Sequence, residues 1–221
     1  MYIYHGSEFI IEHPKYKGGR PNNDYGYGFY CTENPDMARE WSVTSDHNGY
    51  LNKYIFDSSE LSTLDLSSYP ALTWLAILLE NRIFDITTPL SAEAKKYIKK
   101  EFLIDYEKYD VIKGYRADDS YFSFAQDFIS GAISYEQLCE AMHLGKLGEQ
   151  LVLKSKRSFE CIKWCDSEIV PREIWLPLRE GRDKKARKKY FSVDKQTYVK
   201  GALYITKILD EEIKNDDTRL R

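Results

Sequence analysis

Residues 18–41, with the sequence GGRPNNDYGYGFYCTENPDMAREW, constrain the fold of this chain more than any other stretch. The segment opens with residues that favour turns, continues through a short aromatic run, and then reaches residues that favour the start of a helix. Thr32 is a suitable N-cap, and the acidic residues after it suit the positive end of a helix dipole. The pattern predicts a loop, a strand at 25–32, a tight turn and a helix at 34–45, with Tyr30 near the end of the strand.

Two other segments have the pattern of strands with polar residues at one end. Residues 1–7 alternate in side-chain type and end in the letters HGS, while residues 149–155 begin with EQ and continue with LVL. A histidine at the end of a strand is more often structural than catalytic, and a tyrosine in a strand more often belongs to the core. From the residues alone, His5 and Tyr30 are therefore candidates for either role.

Composition and charge limit the classes of protein to which the chain can belong. Its 221 residues suffice for one domain with a tail, and a hydrophobic content of 43% provides for a core. A formal net charge of −3 argues against a general nucleic-acid-binding surface, so any such binding requires a local patch such as the basic run at 179–189. The first residues lack the basic start of a secretory signal, and the longest apolar run, at 74–79, is too short to span a bilayer.

The cysteines give no pattern for a metal site. Cys31, Cys139, Cys161 and Cys165 lack the spacing of zinc ligands, and the last two lie four residues apart without a matching pair of histidines. We therefore expect reduced thiols in a cytoplasmic protein, with no metal cofactor and no membrane partner.

Five short motifs follow one another along residues 1–165. They are YHGS at 4–7, DYGYGFYCT at 24–32, AREW at 38–41, DVIKGYRADD at 110–119 and GEQLVL at 148–153. Together they resemble the ADP-ribosyltransferase superfamily, in its histidine–tyrosine–glutamate branch. More closely, they resemble a family of small bacterial proteins of unknown function that is assigned to that superfamily. Each motif alone has little specificity, whereas all five in this order are much more specific.

The resemblance implies an α+β fold, namely an ADP-ribosyltransferase-like split β-sandwich with surrounding helices. Two small antiparallel sheets would enclose a cleft for NAD⁺, and the strands at 1–5, 25–31 and 149–154 would carry the site. The extent of the motifs places the catalytic domain at 1–165. Residues 166–221 would form a charged C-terminal extension that is packed on this domain or tails from it.

The resemblance also implies which residues contact the ligand. The expected NAD⁺ contacts are His5, Gly6, Ser7, Arg20, Asn23, Tyr30 and Trp41. His5 would hold a ribose hydroxyl, Gly6 would hold the carboxamide through its backbone, and Tyr30 would stack on the cationic nicotinamide ring. Contact between these groups and one ligand requires that His5 and Tyr30 lie within roughly 10 Å of each other.

The remaining groups around the ligand have two interpretations each. Arg20 and Asn23 would reach the pyrophosphate, although a loop arginine is ordinarily solvated. Trp41 would cover the second face of the nicotinamide or belong to the core. Asp118 and Asp119 would cap the next helix or shape the side of the pocket where the acceptor enters.

The third catalytic group is open between Glu149 and Gln150. Neighbouring residues of a strand point to opposite faces, so only one of the two can enter the site. We favour Glu149 on chemical grounds, because a carboxylate balances the positive charge of an oxocarbenium-like transition state. The pattern of the narrower family favours Gln150, which would orient the ribose through hydrogen bonds.

The implied function is that of a mono-ADP-ribosyltransferase, an enzyme that uses NAD⁺ as co-substrate to modify an intracellular macromolecule. Such a chain would be a bacterial toxin or effector, controlled by an antitoxin protein, that acts in the cytoplasm or is delivered into a target cell. The alternatives are an NAD⁺ glycohydrolase, which transfers the same intermediate to water, and a non-catalytic module that binds NAD⁺. The sequence does not decide whether the acceptor is protein or nucleic acid.

Overall fold

The computed structural model describes residues 1–117, 119–142, 149–193 and 198–220, without the side chains of 119–121 and 191–193. Its strands are β1 (Tyr2–Ser7), β2 (Phe29–Cys31), β3 (Gly49–Phe56), β4 (Thr63–Asp65), β5 (Val111–Tyr115), β6 (Glu149–Leu153) and β7 (Ile162–Val170). Its α-helices are α1 (Pro35–Ser42), α2 (Ala71–Asn81), α3 (Pro89–Phe102), α4 (Asp119–Ile129), α5 (Tyr135–Met142), α6 (Lys156–Glu160), α7 (Arg172–Val193) and α8 (Ile205–Asp210). The α+β class predicted from the sequence is confirmed at this level.

The strands form two sheets that meet at one bridge. The first sheet has the order β1-β3-β7 and is antiparallel throughout, while the second has the order β2-β6-β5-β4. The prediction that both sheets are antiparallel is wrong for one pair, because β4 and β5 run parallel. Tyr4 in β1 and Thr32 after β2 exchange backbone hydrogen bonds of 2.8 and 2.9 Å. This bridge brings the HGS and GFY motifs together.

The largest hydrophobic core lies around α2. Eight of the eleven residues of this helix are buried, from Leu72 to Leu79, and β6 contributes Val152 to the same cluster. A helix that is apolar on all sides must be covered on all sides, which explains why the second sheet and the later helices surround it. No helix in the described ranges combines the length and the apolar character that crossing a membrane requires.

The segment at 18–41 has the predicted order of elements but different boundaries. The strand is only three residues long, because the residues before it form turns in which Gly26 has a φ of +72°, a conformation that favours glycine. The helix begins at Pro35, and its N-cap is Asn34, whose side chain accepts hydrogen bonds from the first turn. Thr32, predicted as the cap, instead bridges to β1.

The C-terminal part of the chain is continuous with the rest of the fold. β7 pairs with β3 along its length, so the boundary predicted between 165 and 166 falls inside a strand of the first sheet. Beyond β7, α7 packs against α1 and α4, and α8 packs against α3. The described residues of the extension therefore pack on the domain.

Candidate functional site

A pocket of about 840 Å³ opens where β1, β2 and β6 come together. Its size falls within the range of about 300–1,000 Å³ that is usual for clefts that hold small molecules and cofactors. His5 from β1, Tyr30 from β2 and Gln150 from β6 all line it. The three strands that the sequence predicted to carry a site thus converge on one cavity.

His5 is fixed against the backbone of β2. Its Nδ1 lies 2.7 Å from the carbonyl oxygen of Tyr30, and its ring packs on Phe29 with a centroid separation of 4.4 Å. Burial lowers the pKa of His5 below its usual 6.5, although the bond to the carbonyl opposes the shift. Because a carbonyl oxygen only accepts, the neutral imidazole carries its proton on Nδ1 and offers Nε2 as an acceptor. The contact also meets the requirement that His5 and Tyr30 lie close together.

Acidification is expected to destabilise the protein through His5. The unfolded chain, with a histidine pKa near 6.5, binds this proton more readily than the folded chain, in which burial lowers the pKa. The contribution to stability is therefore complete above pH 6.5 and is lost as the pH falls below it, at no more than about 1.4 kcal/mol per pH unit. Urea denaturation between about pH 7 and pH 5.5 should show a steeper loss for wild type than for His5→Phe.

Only the difference between these two proteins is diagnostic for His5. Burial raises the pKa of Asp24, which makes the folded state more stable as the pH falls, and this opposite contribution is present in both proteins. Parallel pH profiles for wild type and His5→Phe would contradict the assignment of a partly buried, neutral His5.

Gly6 lies where β1 passes closest to α1. A Cβ built on it would lie 1.8 Å from the carbonyl oxygen of Ala38 and 2.9 Å from the backbone nitrogen of Ser42. In a strand, the N–H and C=O groups of one residue point to the same edge, and successive residues point to opposite edges. The N–H and C=O of Tyr4 bond to Thr32 and therefore point away from β3. Gly6 is two residues after Tyr4, so its N–H and C=O also point away from β3. Gly6 lines the pocket.

Tyr30 has a structural hydroxyl in addition to its place in the pocket. The hydroxyl donates to the carbonyl oxygen of Gly26 at 2.7 Å and accepts from the N–H of Tyr25 at 3.0 Å. These bonds tie the turn before β2 back onto the strand. Tyr30 is half-buried, packs against the main hydrophobic core and also lines the pocket.

Tyr30→Phe is expected to lower the free energy of unfolding by about 1–3 kcal/mol, because it removes the partner of two backbone groups in the turn. Tyr27→Phe is the matched control, since Tyr27 lies in the same segment with 41% of its surface exposed and should change stability by less than about 0.5 kcal/mol. Urea denaturation measures both. Equal stability of Tyr30→Phe and wild type would show that the hydroxyl does not hold the turn.

Gln150, rather than Glu149, faces the pocket. The side chain of Gln150 is 3% exposed and lines the cavity, whereas Glu149 lies on the other face of β6 and pairs with Lys113 at 2.8 Å. The preference for Glu149 as the inward residue is thus corrected. The alternation of β6 gave no guidance because both of its faces are covered.

The hydrogen bonds of Gln150 define the orientation of its amide. Nε2 lies 3.1 Å from Oδ2 of Asp24 and 3.3 Å from the carbonyl oxygen of Tyr115. Both of these oxygens only accept, so the NH₂ group must face them. The carbonyl oxygen Oε1 is then the acceptor that Gln150 can offer to a ligand.

Asp24 is the central residue of this network, and it was not among the site residues predicted from the sequence. It is 6% exposed, pairs with Arg82 at 3.1 Å, and accepts from the N–H of Ala117 at 2.8 Å as well as from Gln150. Burial raises the pKa of its carboxyl above the usual 3.8, although Ala117 and Arg82 favour the charged form. Its place at the start of the DYGYGFYCT motif was the available signal.

Trp41 lines the pocket, but one face of its ring is covered by a cation. The guanidinium of Arg116 lies 4.7 Å from the ring centroid, a cation–π distance. A nicotinamide could stack on that face only if Arg116 moved. The buried indole N–H of Trp41 has no hydrogen-bond partner within the described part of the chain, although buried donors are almost always paired.

The other residues predicted to surround the ligand are divided between the pocket and the surface. Asn23 lines the cavity, whereas Arg20 is exposed and lies outside the lining. Ser7 also lies outside the lining and donates to the carbonyl oxygen of Phe9 at 2.5 Å. Asp118 and the side chain of Asp119 fall outside the described residues, so neither of their predicted roles is decided.

One wall of the pocket comes from the C-terminal extension. The residues of α7 that line it are Arg179, Glu180, Arg182, Asp183 and Arg187. From the sequence, the basic run at 179–189 was a candidate only for a local patch that binds nucleic acid. The spacing of these side chains along α7 is helical, but only the docking of α7 against α1 shows which of them reach the cavity.

Among the described residues, no cluster of histidine, cysteine and acidic side chains has the arrangement of a metal site. A family model described as "Protein of unknown function (DUF3990)" matches residues 1–164 of the chain. No curated protein and no solved structure matches the chain. The matched range includes the three strands that build the pocket and ends before α7 begins.

Proposed function

The chain belongs to this family of proteins of unknown function, and from the pocket we propose that it is a mono-ADP-ribosyltransferase that uses NAD⁺ as co-substrate. The observation that carries the proposal is the convergence of His5, Tyr30 and Gln150 on one cavity. His5 and Tyr30 lie in sequence motifs that resemble the ADP-ribosyltransferase superfamily, and Gln150 is the residue that the pattern of the narrower family favours over Glu149.

The groups around the pocket suit the parts of NAD⁺. His5 Nε2 and Gln150 Oε1 can accept hydrogen bonds from ribose hydroxyls, and the backbone N–H and C=O of Gly6 can pair with a carboxamide. A cationic nicotinamide beside Tyr30 would gain about 0.5–2 kcal/mol from a cation–π contact.

In the proposed reaction, the bond between the nicotinamide nitrogen and C1′ of the ribose breaks, and the bonding electrons leave with neutral nicotinamide. A nucleophile of the acceptor forms the new bond to C1′ and gives up its proton. Positive charge develops on the ribose, and electron density directed at that charge lowers the barrier. Gln150 is neutral, but its N–H bond to Asp24 polarises the amide and increases the electron density on Oε1.

A second candidate function is that of a module that binds NAD⁺ without cleaving it. The neutral side chain of Gln150 favours it, because the loss of one preorganised electrostatic group typically lowers a catalytic rate by about 10²–10³-fold. The nearest buried carboxylate, Asp24, is already engaged by Arg82, Ala117 and Gln150. For the transferase we propose action in the bacterial cytoplasm or in a target cell, with an antitoxin protein as partner.

The test is incubation of the purified protein with NAD⁺ labelled on its adenylate phosphate, in the presence of a bacterial lysate. We expect label on a macromolecule together with stoichiometric release of nicotinamide. Separate digestion with nuclease and protease identifies the class of acceptor. Glu149→Gln is the matched control and should remain active, since Glu149 lies outside the pocket, whereas His5→Phe should be inactive while still folded.

The possible results separate the candidates. Release of nicotinamide with free ADP-ribose as the only labelled product would indicate a glycohydrolase. Saturable binding of NAD⁺ without release of nicotinamide would indicate a binding module. Absence of both binding and release would contradict the proposal as a whole.

A further inference from the structure

α7 contributes a wall of basic side chains to a pocket whose other walls come from the family-matched part of the chain. Arg179, Arg182 and Arg187 recur along this helix at intervals of three to five residues and all line the cavity. Glu180 and Asp183 line it with them. This wall lies beyond residue 164, so the family match says nothing about it.

The wall is anchored to α1 by two of its arginines. Arg182 pairs with Glu40 at 2.7 Å, and the two side chains are only 16% and 11% exposed. Arg179 donates to the carbonyl oxygen of Val43 at the end of α1, at 2.7 Å. Both contacts cross between segments that are far apart in the sequence. They hold α7 against the rim of the pocket, so the side chains of α7 have defined positions there.

Positive charge is concentrated in this pocket. The basic residues that line it are Lys15, Arg82, Arg116, Arg179, Arg182 and Arg187, and the acidic ones are Asp24, Glu180 and Asp183. Even when Glu40 behind the wall is counted with the acids, two positive charges are in excess, although the whole chain carries a formal net charge of −3. A positively charged cleft in a protein of negative net charge favours an anionic ligand.

The excess consists mainly of arginine, which indicates the kind of anion. The planar guanidinium presents donors in a fork that fits two oxygens of a phosphate, and it is less strongly hydrated than an ammonium group. Arg187 is the member of the wall most suited to this role. It lines the pocket, bonds to Asp183 on its own helix at 2.9 Å, and has a side chain that is 42% exposed, whereas the side chain of Arg182 is 16% exposed.

We propose that the arginine wall of α7, with Arg187 as a contact residue and Arg116 on the neighbouring wall, is a subsite for the diphosphate of a nucleotide. The assignment deepens the proposed function, on which it rests for the identity of the nucleotide as NAD⁺. It moves the phosphate-binding role from Arg20, which is exposed outside the pocket, to a segment that follows the family-matched residues. The C-terminal extension is then part of the binding site.

The experiment measures the equilibrium binding of ADP, which has a diphosphate but no nicotinamide, by isothermal titration of the full chain. Arg187→Ala should weaken ADP binding about tenfold or more, because a hydrogen bond to a charged group contributes at least that much. Lys188→Ala is the matched control, since it removes the same charge from the next residue of the helix, outside the pocket lining, and should change the affinity less than about twofold. Added salt should weaken the binding of ADP to wild type more than to Arg187→Ala.

Arg187→Gln provides a second variant that keeps the length and polarity of the side chain, and thermal melting verifies that each variant is folded. If ADP binds wild type and the Arg187 variants equally, or does not bind wild type at millimolar concentrations, the subsite proposal is wrong. If ADP binding depends on Arg187 while NAD⁺ is neither bound nor cleaved, the subsite stands and the proposed function fails. If nicotinamide is released with the same KM for NAD⁺ in Arg187→Ala as in wild type, the function stands and the subsite fails.

Discussion

Replacing Gly6 with alanine is expected to lower the free energy of unfolding by about 3 kcal/mol or more. The new methyl group would lie 1.8 Å from the carbonyl oxygen of Ala38 and 2.9 Å from both the carbonyl carbon of Ala38 and the nitrogen of Ser42. All three atoms belong to the backbone of α1, so no side-chain rotation relieves the contact. Overpacking usually costs about 1–3 kcal/mol, and a clash with helix backbone belongs at the top of that range or beyond. Urea denaturation gives the value directly.

Gly181→Ala is the control for this substitution. Gly181 lies inside α7, and a Cβ built there meets no atom within 4 Å. Because glycine is a poor helix former, alanine at this position should stabilise the protein by about 0.5–1 kcal/mol. If Gly6→Ala proved as stable as wild type, α1 would not lie against β1 as described, and the geometry of the pocket would have to be revised.

Gln150→Glu is expected to destabilise the protein by about 3–5 kcal/mol at neutral pH. The substitution replaces a donor to Asp24, 3.1 Å away, with a second buried carboxylate. Leaving a buried charge without compensation costs about this much. Each of the two carboxyls also raises the pKa of the other. The loss should therefore diminish as the pH is lowered, which unfolding curves at several pH values will show.

Two companion variants isolate the cause of this effect. Glu149→Gln should change stability by less than about 1 kcal/mol, because Glu149 forms only a partly exposed ion pair with Lys113. The double variant Asp24→Asn with Gln150→Glu should recover at least half of the loss, since the network again contains one carboxylate and the amide at position 24 can donate to it. A destabilisation by Glu149→Gln larger than that of Gln150→Glu would mean that the orientation of β6 is reversed.

Sequence alone was sufficient to place the strands of the site but not the direction in which β6 faces. Alternation reveals the buried face of a strand only when the other face is solvated. β6 lies between β2 and β5, and Leu151, Val152 and Leu153 are all buried, at 7%, 0% and 0% exposure. Chemical preference for a carboxylate then selected Glu149, whereas the packing places Gln150 in the pocket.

The features that sequence reasoning missed depend on contacts between distant segments. Asp24 became a buried acceptor only because Arg82, Ala117 and Gln150 converge on it from separate elements. The wall of α7 reaches the pocket through the pair between Arg182 and Glu40. A local pattern of charge is compatible with a solvated face or a buried one, and only the tertiary partners decide between them.

In the segment around β2, local propensity predicted the right types of element but the wrong length for the strand. The glycines and asparagines before Phe29 predicted a turn, and the aromatic run predicted a strand. Because the hydroxyl of Tyr30 binds back to Gly26, the turn extends further into the run than propensity indicates. Thr32 forms the bridge that joins the two sheets, and Asn34 is the N-cap of α1.

The most direct test of the central claim is an isothermal titration of the full chain with NAD⁺. We predict saturable binding of one NAD⁺ per chain, retained in Glu149→Gln and weakened about tenfold or more in His5→Phe, which removes an acceptor that faces the pocket while preserving an aromatic ring. Binding that is absent at millimolar NAD⁺, or that is unchanged in a folded His5→Phe variant, would contradict the claim that this pocket is an NAD⁺ site.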